Sequence, residues 1–312
     1  MKKFLFFLLL PITIIGQNNP CLNTSSITAI TSCDSFDWNG TTYNSTGTYN
    51  YSGISVANTY SMSFDGIDDY VNLGSVLNEP SENGIIFISF KLSNDFNSDN
   101  MVRQSLLDKY NNLNDAPIDL RLDENEGKLC FRIQPEGFAP GGWEYVYSIN
   151  SQWNANQWYN IAVSWGADGM KMYIDGALEG TNPSTIKPGL CYNDLLLGAD
   201  YNWNGAALIS DLNNYFDGEV DNLQIWSALL NQQEIQNYMN CPPAGNEAGL
   251  VGSWNFEEGS GNTVLDISGN GNNGTINGAT YDSNVPSQSC TLTNSNGLST
   301  CSRTSKQTTK SA

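Results

Sequence analysis

A chain of 312 residues with 13 basic and 32 acidic side chains, hence a formal charge of -19, has little to offer a phosphate backbone. Nucleic-acid binding needs clustered Lys and Arg, and here the basic residues between Lys91 and Lys187 are interspersed with acids, a surface better suited to calcium and neutral sugars. The sequence contains no histidine, which excludes Ser-His-Asp and Cys-His nucleophile systems and leaves carboxylates as the strong acid and base groups.

Residues 1–16 place Lys2 and Lys3 ahead of the apolar run Phe4 to Leu10, the pattern of a secretory signal peptide too short to span a bilayer. No later run is long enough to insert into a membrane, so the expectation is an exported protein, secreted or at the cell surface. Residues 17–58 are rich in Thr, Ser and Asn and too few to bury a core of their own. They read as a leading module or linker, with Cys21 and Cys33 as a candidate pin. Two short strands fit around Asn39-Gly40, and Ser32-Cys-Asp-Ser-Phe-Asp-Trp-Asn-Gly resembles repeats of secreted surface proteins from Bacteroidetes-type bacteria.

From Tyr60 the texture changes to short alternating strands: Ser63 to Leu73 around an acidic turn, then Gly84 to Leu92, Ile118 to Leu122, Lys128 to Ile133 and Trp143 to Ile149. Trp158 to Gly176 predicts a hairpin in mid-sheet, because Tyr159, Ile161, Val163 and Trp165 alternate at period two, Gly166 to Gly169 turns, and Met170, Met172 and Ile174 resume the alternation. Leu195 to Gly198 and Glu219 to Trp226 complete a pattern that predicts an all-β, two-sheet antiparallel sandwich with small β appendages. One short helix is expected after Asn231, where Glu234 completes a capping box and Leu230 with Ile235 forms a staple. Residues 241–290 read as an accessory β segment and 291–312 as a disordered or truncated tail. In an exported chain the seven cysteines read most simply as disulfides, with one thiol left over. Cys241 with Cys290 would bracket the accessory segment, Cys130 and Cys191 are further candidates, and other pairings stay open.

Phe64-Asp-Gly-Ile-Asp-Asp-Tyr-Val-Asn-Leu, the Trp158 to Gly176 hairpin and Phe216-Asp-Gly-Glu-Val-Asp-Asn-Leu-Gln-Ile-Trp resemble the laminin-G-like jelly rolls of the concanavalin A-like lectin and glucanase superfamily, over residues 59–240. The resemblance implies a jelly roll, and its members include lectins, adhesion modules and glucanases. It further implies a structural Ca²⁺ clipping the first strand of the domain to the last, with Asp65, Asp68 or Asp69 facing Asp217 or Asp221, although Asp-Gly pairs also simply make turns. Glu219-Val-Asp-Asn-Leu-Gln224 resembles the catalytic strand of retaining glucanases with an amide in place of the second carboxyl, and an amide can neither protonate a leaving group nor activate water.

For ligand contact the candidates are Trp143, Tyr145 and Tyr147 on one strand face, with inner-sheet packing as their alternative, and Tyr201 with Trp203 in a polar loop. The expected function is a non-catalytic module that binds a polysaccharide or glycoprotein surface. A glycoside hydrolase and a purely structural spacer are the alternatives.

Overall fold

The computed structural model describes residues 36–38, 41–43, 58–97, 102–109, 118–135, 142–201 and 212–288. The signal peptide, Cys21, Cys33, Trp203, Cys290 and the 291–312 tail lie outside the described residues. The chain divides into two units, residues 1–55 with 293–312, and residues 56–292. In the first, β1 (Phe36–Trp38) and β2 (Thr41–Tyr43) pair antiparallel with Trp38 opposite Thr41, on either side of Asn39-Gly40 in the sequence.

The second unit runs through β3 (Ser61–Asp65), β4 (Tyr70–Asn72), β5 (Gly84–Leu92), β6 (Gln104–Lys109), β7 (Ile118–Leu122), β8 (Leu129–Ile133) and β9 (Glu144–Tyr147). It continues through β10 (Trp158–Trp165), β11 (Met170–Ile174), β12 (Ala177–Asn182), β13 (Leu196–Leu197), β14 (Asp200–Tyr201), β15 (Leu212–Asn213) and β16 (Asp217–Trp226). The helix α1 (Gln232–Asn240) is followed by β17 (Leu250–Trp254), β18 (Thr263–Val264), β19 (Gly274–Asn277) and β20 (Thr280–Asp282). The first sheet has the order β12-β11-β10-β5-β16-β3-β20 with β17 beside β16; the second has the order β18-β19-β4-β13-β6-β7-β8-β9.

Alternation within the strands builds the sandwich. Ile86, Ile88, Phe90 and Leu92 of β5 join Val163 and Trp165 of β10 in the core between the sheets, where they meet Leu120 and Phe131 of the second sheet. The other face of β5 is also covered, because Ile85 and Phe87 pack with Ile235 and Met239 of α1. This explains why β5 is buried at every position and reads as a continuous apolar run. The expected hairpin is β10 and β11, with Ile161 opposite Ile174, and β10 lies between β11 and β5 in mid-sheet.

Asn231 caps α1 by accepting from the Gln233 and Glu234 amides, and Glu234 reaches back to the Asn231 amide, so the capping box is present in full. Asn231→Ala is expected to cost about 1 kcal/mol in urea unfolding. An unchanged midpoint would show that packing of the helix on Phe87 and Trp226, and not the cap, sets its stability.

Two expectations are corrected. The segment after Cys241 is not an appendage: β17 and β20 join the first sheet while β18 and β19 join the second, so residues 250–282 complete both layers. The reason is edge protection, since β20 covers β3 and β19 covers β4, which otherwise present unpaired backbone. Cys130 and Cys191 are both buried thiols rather than disulfide halves. Cys130 lies on β8 against the Tyr147 hydroxyl, whereas Cys191 lies in the approach to β13 beside Lys109, so they have different neighbours. Cys241 is disulfide-bonded, and its expected partner, Cys290, is outside the described residues. No helix among the described residues is long and apolar enough to cross a membrane.

Candidate functional site

The same alternation that sends Ile118, Leu120 and Leu122 of β7 into the core turns Asp119 and Arg121 to the opposite face of the second sheet. On β8, Leu129, Phe131 and Ile133 face inward and Cys130 and Arg132 outward. On β9 the inward residue is Val146, so Tyr145 and Tyr147 are outward. Three of the four arginines in the chain, Arg103, Arg121 and Arg132, meet on this outer face.

Asp119 is their hub. Its Oδ2 accepts from Arg121 Nη1 at 2.5 Å and Arg132 Nε at 2.5 Å, with Arg103 Nη2 at 3.5 Å, and the residue is fully buried. Burial alone would raise this carboxyl, but Arg132, Arg121 and Arg103 outweigh it and hold it below the usual carboxylate range. Arg121 Nη2 also donates to Asp123 at 2.9 Å.

Asp108 and Asp200 have the opposite balance. Burial, reinforced by Asp119 and Asp200, pushes the Asp108 carboxyl well up. Burial and the Asp119 charge push Asp200 up to about 6, against the pull of Arg103. Asn214 Nδ2 donates to both Asp200 oxygens at 3.0 and 3.1 Å, and the Tyr201 amide donates to Asp108 Oδ2 at 3.2 Å. A cavity of about 50 Å³ opens among Arg103, Asp108, Arg132, Asp200, Tyr201 and the Asn213-Asn214 pair.

Beside this cavity runs an aromatic row. The Tyr145 and Tyr147 rings are stacked at 5.9 Å and 8°, Trp143 and Tyr145 lie 6.5 Å apart, and the Arg132 guanidinium sits 3.7 Å over the Trp143 ring. Arg132 thus belongs to both, and joins the row to the cavity. Inner-sheet packing is not the role of this row. Tyr201 lines the same cavity, but it is not on an exposed loop: it is buried in β14, with its hydroxyl donating to the Asp194 carbonyl at 3.1 Å. Of the aromatic candidates, Tyr201 lines the cavity, while Trp143 and Tyr145 adjoin it through Arg132.

The proposed metal residues separate into two places. Asp65, Asp68 and Asp69 bring carboxylate oxygens within 4.8 Å of one another, and Asp217 stands opposite Asp65 in the ladder. Much of their capacity is already committed, since Asp65 Oδ1 accepts from the Ile67 and Asp68 amides, Asp69 Oδ2 from the Asp65 amide and Asp217 Oδ2 from Asn94. Asp221 is elsewhere. It is fully buried, opposite Ser89, and accepts from Asn58 Nδ2 at 2.8 Å and the Asn222 amide at 2.7 Å. The Asp65 to Asp221 bridge expected from sequence is absent because Asp221 is four residues farther along β16 than Asp217, beyond the pairing with β3 that ends at Val220. Burial pushes its carboxyl up to about 8, and no cationic side chain is among the causes that oppose this.

On the glucanase-like strand, Glu219 pairs with Lys91 at 2.9 Å. Gln224 lies near α1, donating to the Tyr238 carbonyl and accepting from Trp226 Nε1, so β16 offers no second carboxyl at that position. Sequence reasoning missed Arg103, Asp108, Asp119, Arg132 and Asp200. Their signal was the alternation Ile118-Asp-Leu-Arg-Leu-Asp123, which places charges on a regular strand face where a solvated edge and an ion network look alike.

A laminin G family model described as "Concanavalin A-like lectin/glucanases superfamily" matches residues 65–236, more than half of the chain. Human neuronal pentraxin-2 is 35% identical over 92 residues, a match spanning 27% of this chain and 20% of that protein. Among solved structures, a candidate carbohydrate binding protein from Bacteroides ovatus aligns with a TM-score of 0.51 at 14% identity, over 75% of this chain and 62% of that one. A pentraxin from Limulus polyphemus aligns at 0.45 and 14% identity, over 70% of this chain and 94% of that one. The Bacteroides ovatus likeness agrees with the two-layer antiparallel sandwich, and the family match covers the acidic turn, the central hairpin and β16 in one stretch. The chain belongs to the laminin G family of the concanavalin A-like lectin/glucanases superfamily.

Proposed function

We propose that the protein is an exported, non-catalytic module that binds saccharide on the outer face of the second sheet. The observation that carries this reading is the aromatic row Trp143, Tyr145 and Tyr147 running directly into a polar cavity through Arg132. Flat rings present apolar faces to sugar C–H groups, and forked polar side chains match pairs of hydroxyls. The family and the Bacteroides ovatus neighbour support a lectin-like role.

Trp143→Ala is expected to weaken saccharide binding by about tenfold, or ~1.4 kcal/mol, in calorimetric titration. The melting curve should change little, since Trp143 is partly exposed and lies outside the core. A glycan array on which nothing binds would leave only the structural spacer, and release of reducing sugar from β-glucan would favour the hydrolase.

A structural Ca²⁺ is the second part of the proposal, and Asp221 is the better location. A buried carboxylate with no cation is costly, and hard oxygen groups lie near it in the Pro286 carbonyl, which shares the Asn58 Nδ2 donor with Asp221, and in Glu257. Asn58 and Pro286 come from the two ends of the domain sequence, so an ion here would tie both to β16.

A further inference from the structure

We infer that this site takes acidic saccharides, with a uronate carboxylate entering the cavity between Arg103 and Arg132 while the sugar ring stacks on the adjoining aromatic row. The inference rests on the saccharide-binding reading of the same face and names the ligand class within it.

Charge placement is the first argument. In a chain of net charge -19, three of the four arginines converge here, set among the carboxyls of Asp108, Asp119, Asp123 and Asp200. Neutral sugars would need no such concentration of fixed guanidinium forks, whereas a carboxylate matches the fork in two parallel hydrogen bonds.

Available donors are the second. Arg121 gives its Nη groups to Asp119 and Asp123, and although its Nε is buried without a hydrogen-bond partner, Arg121 does not line the cavity. Arg103 Nε is likewise buried with no hydrogen-bond partner, standing 3.7 Å from Asp200 Oδ2, and Arg103 does line the cavity. Arg132 gives Nε to Asp119 while its guanidinium plane covers Trp143 and borders the same space. The cavity is lined by polar side chains and the aromatic row adjoins it through Arg132, which fits a ligand whose charged group enters the cavity while its ring lies on the aromatics.

The acids around the cavity answer the obvious objection of repulsion. Lining it are Asp108 from β6, Arg132 from β8, Asp200 and Tyr201 from β14 and Asn214 after β15, with Arg103 ahead of β6, and Asp119 from β7 stands close enough to act on Asp200. Asp119 is neutralised by its arginines. Asp108 and Asp200 are the two whose burial favours the protonated form, so each can become a neutral hydrogen-bond donor when an anion arrives. As pH falls through about 6, Asp200 loses its charge beside Arg103, and an anionic ligand should bind more tightly.

The test is calorimetric titration of the full chain with oligogalacturonate, oligoguluronate and oligoglucuronate, each against its neutral methyl ester, at about pH 7.5 and about pH 5, where the uronates remain ionised. At least one acid is expected to bind about tenfold more tightly than its ester, with a larger gap at the lower pH. Arg103→Gln should bring acid and ester within about twofold of each other. Arg103→Lys keeps the charge without the fork, serves where the Gln variant does not fold, and should lose most of the preference. Acid and ester binding alike, an acid preference untouched in both Arg103 variants, or binding of neutral glycans only would each overturn the inference and leave the saccharide-binding reading standing. If no saccharide of any kind binds, both fall.

Discussion

Trp165→Ala is expected to be the most damaging single substitution in the core, at about 3–5 kcal/mol in denaturant unfolding. The residue is fully buried at the end of β10, its Nε1 donates to the Ser81 carbonyl at 3.0 Å, and its ring lies 6.4 Å from Phe131 of the facing sheet. Truncation would open a cavity between the layers and leave that carbonyl without its indole donor. The indole has room only because its ladder partner is Gly84: a Cβ there would stand 2.1 Å from the ring. Gly84→Ala should therefore cost roughly 1–3 kcal/mol by overpacking in the wild type and far less once Trp165 is alanine. An equal cost in both backgrounds would show that close approach is not what requires the glycine.

This pair illustrates what was legible in the sequence. Trp165 declared its inward face through the period-two pattern of Tyr159, Ile161 and Val163, and the turn glycines declared the hairpin, because both signals are local. The need for Gly84 was not legible, since it depends on register with a strand more than seventy residues away. The aromatic row was visible as a stripe on one strand, but its face was undecided until Val146 was seen in the core. The ion cluster was hidden for a related reason. Arg103, Asp119, Arg132 and Asp200 are separated in sequence, and only the order β13-β6-β7-β8 brings them together. The acidic motifs misled in the opposite sense: Asp217 and Asp221 are close in sequence, yet four residues of extended strand carry Asp221 past the end of the β3 pairing, so Asp217 stands opposite Asp65 and Asp221 opposite Ser89.

Calcium is expected to raise the melting temperature of the wild type at about pH 8, and Asp221→Asn is expected to abolish that response. Folding buries the Asp221 carboxyl and raises its affinity for a proton, from an ordinary Asp value near 4 to about 8. With calcium chelated, the folded state therefore binds a proton that the unfolded state lacks between these values. Stability from this group is complete below about pH 4 and is lost as pH rises to about 8, by a few kcal/mol. A bound divalent ion keeps the carboxylate charged and compensated, which flattens that slope and adds about 2.7 kcal/mol when free calcium is a hundredfold above Kd. Asn at 221 has nothing to titrate, so both the slope and the calcium increment should vanish while the core from β5 to β16 stays folded. Asp68→Asn is the control, because the exposed Asp65 to Asp69 turn keeps its own amide contacts and is separate from Asp221. If the increment disappears in Asp68→Asn and persists in Asp221→Asn, the ion belongs to the acidic turn; if EDTA leaves the wild-type curve unchanged at pH 8, the calcium proposal is withdrawn and Asp221 folds as a neutral acid.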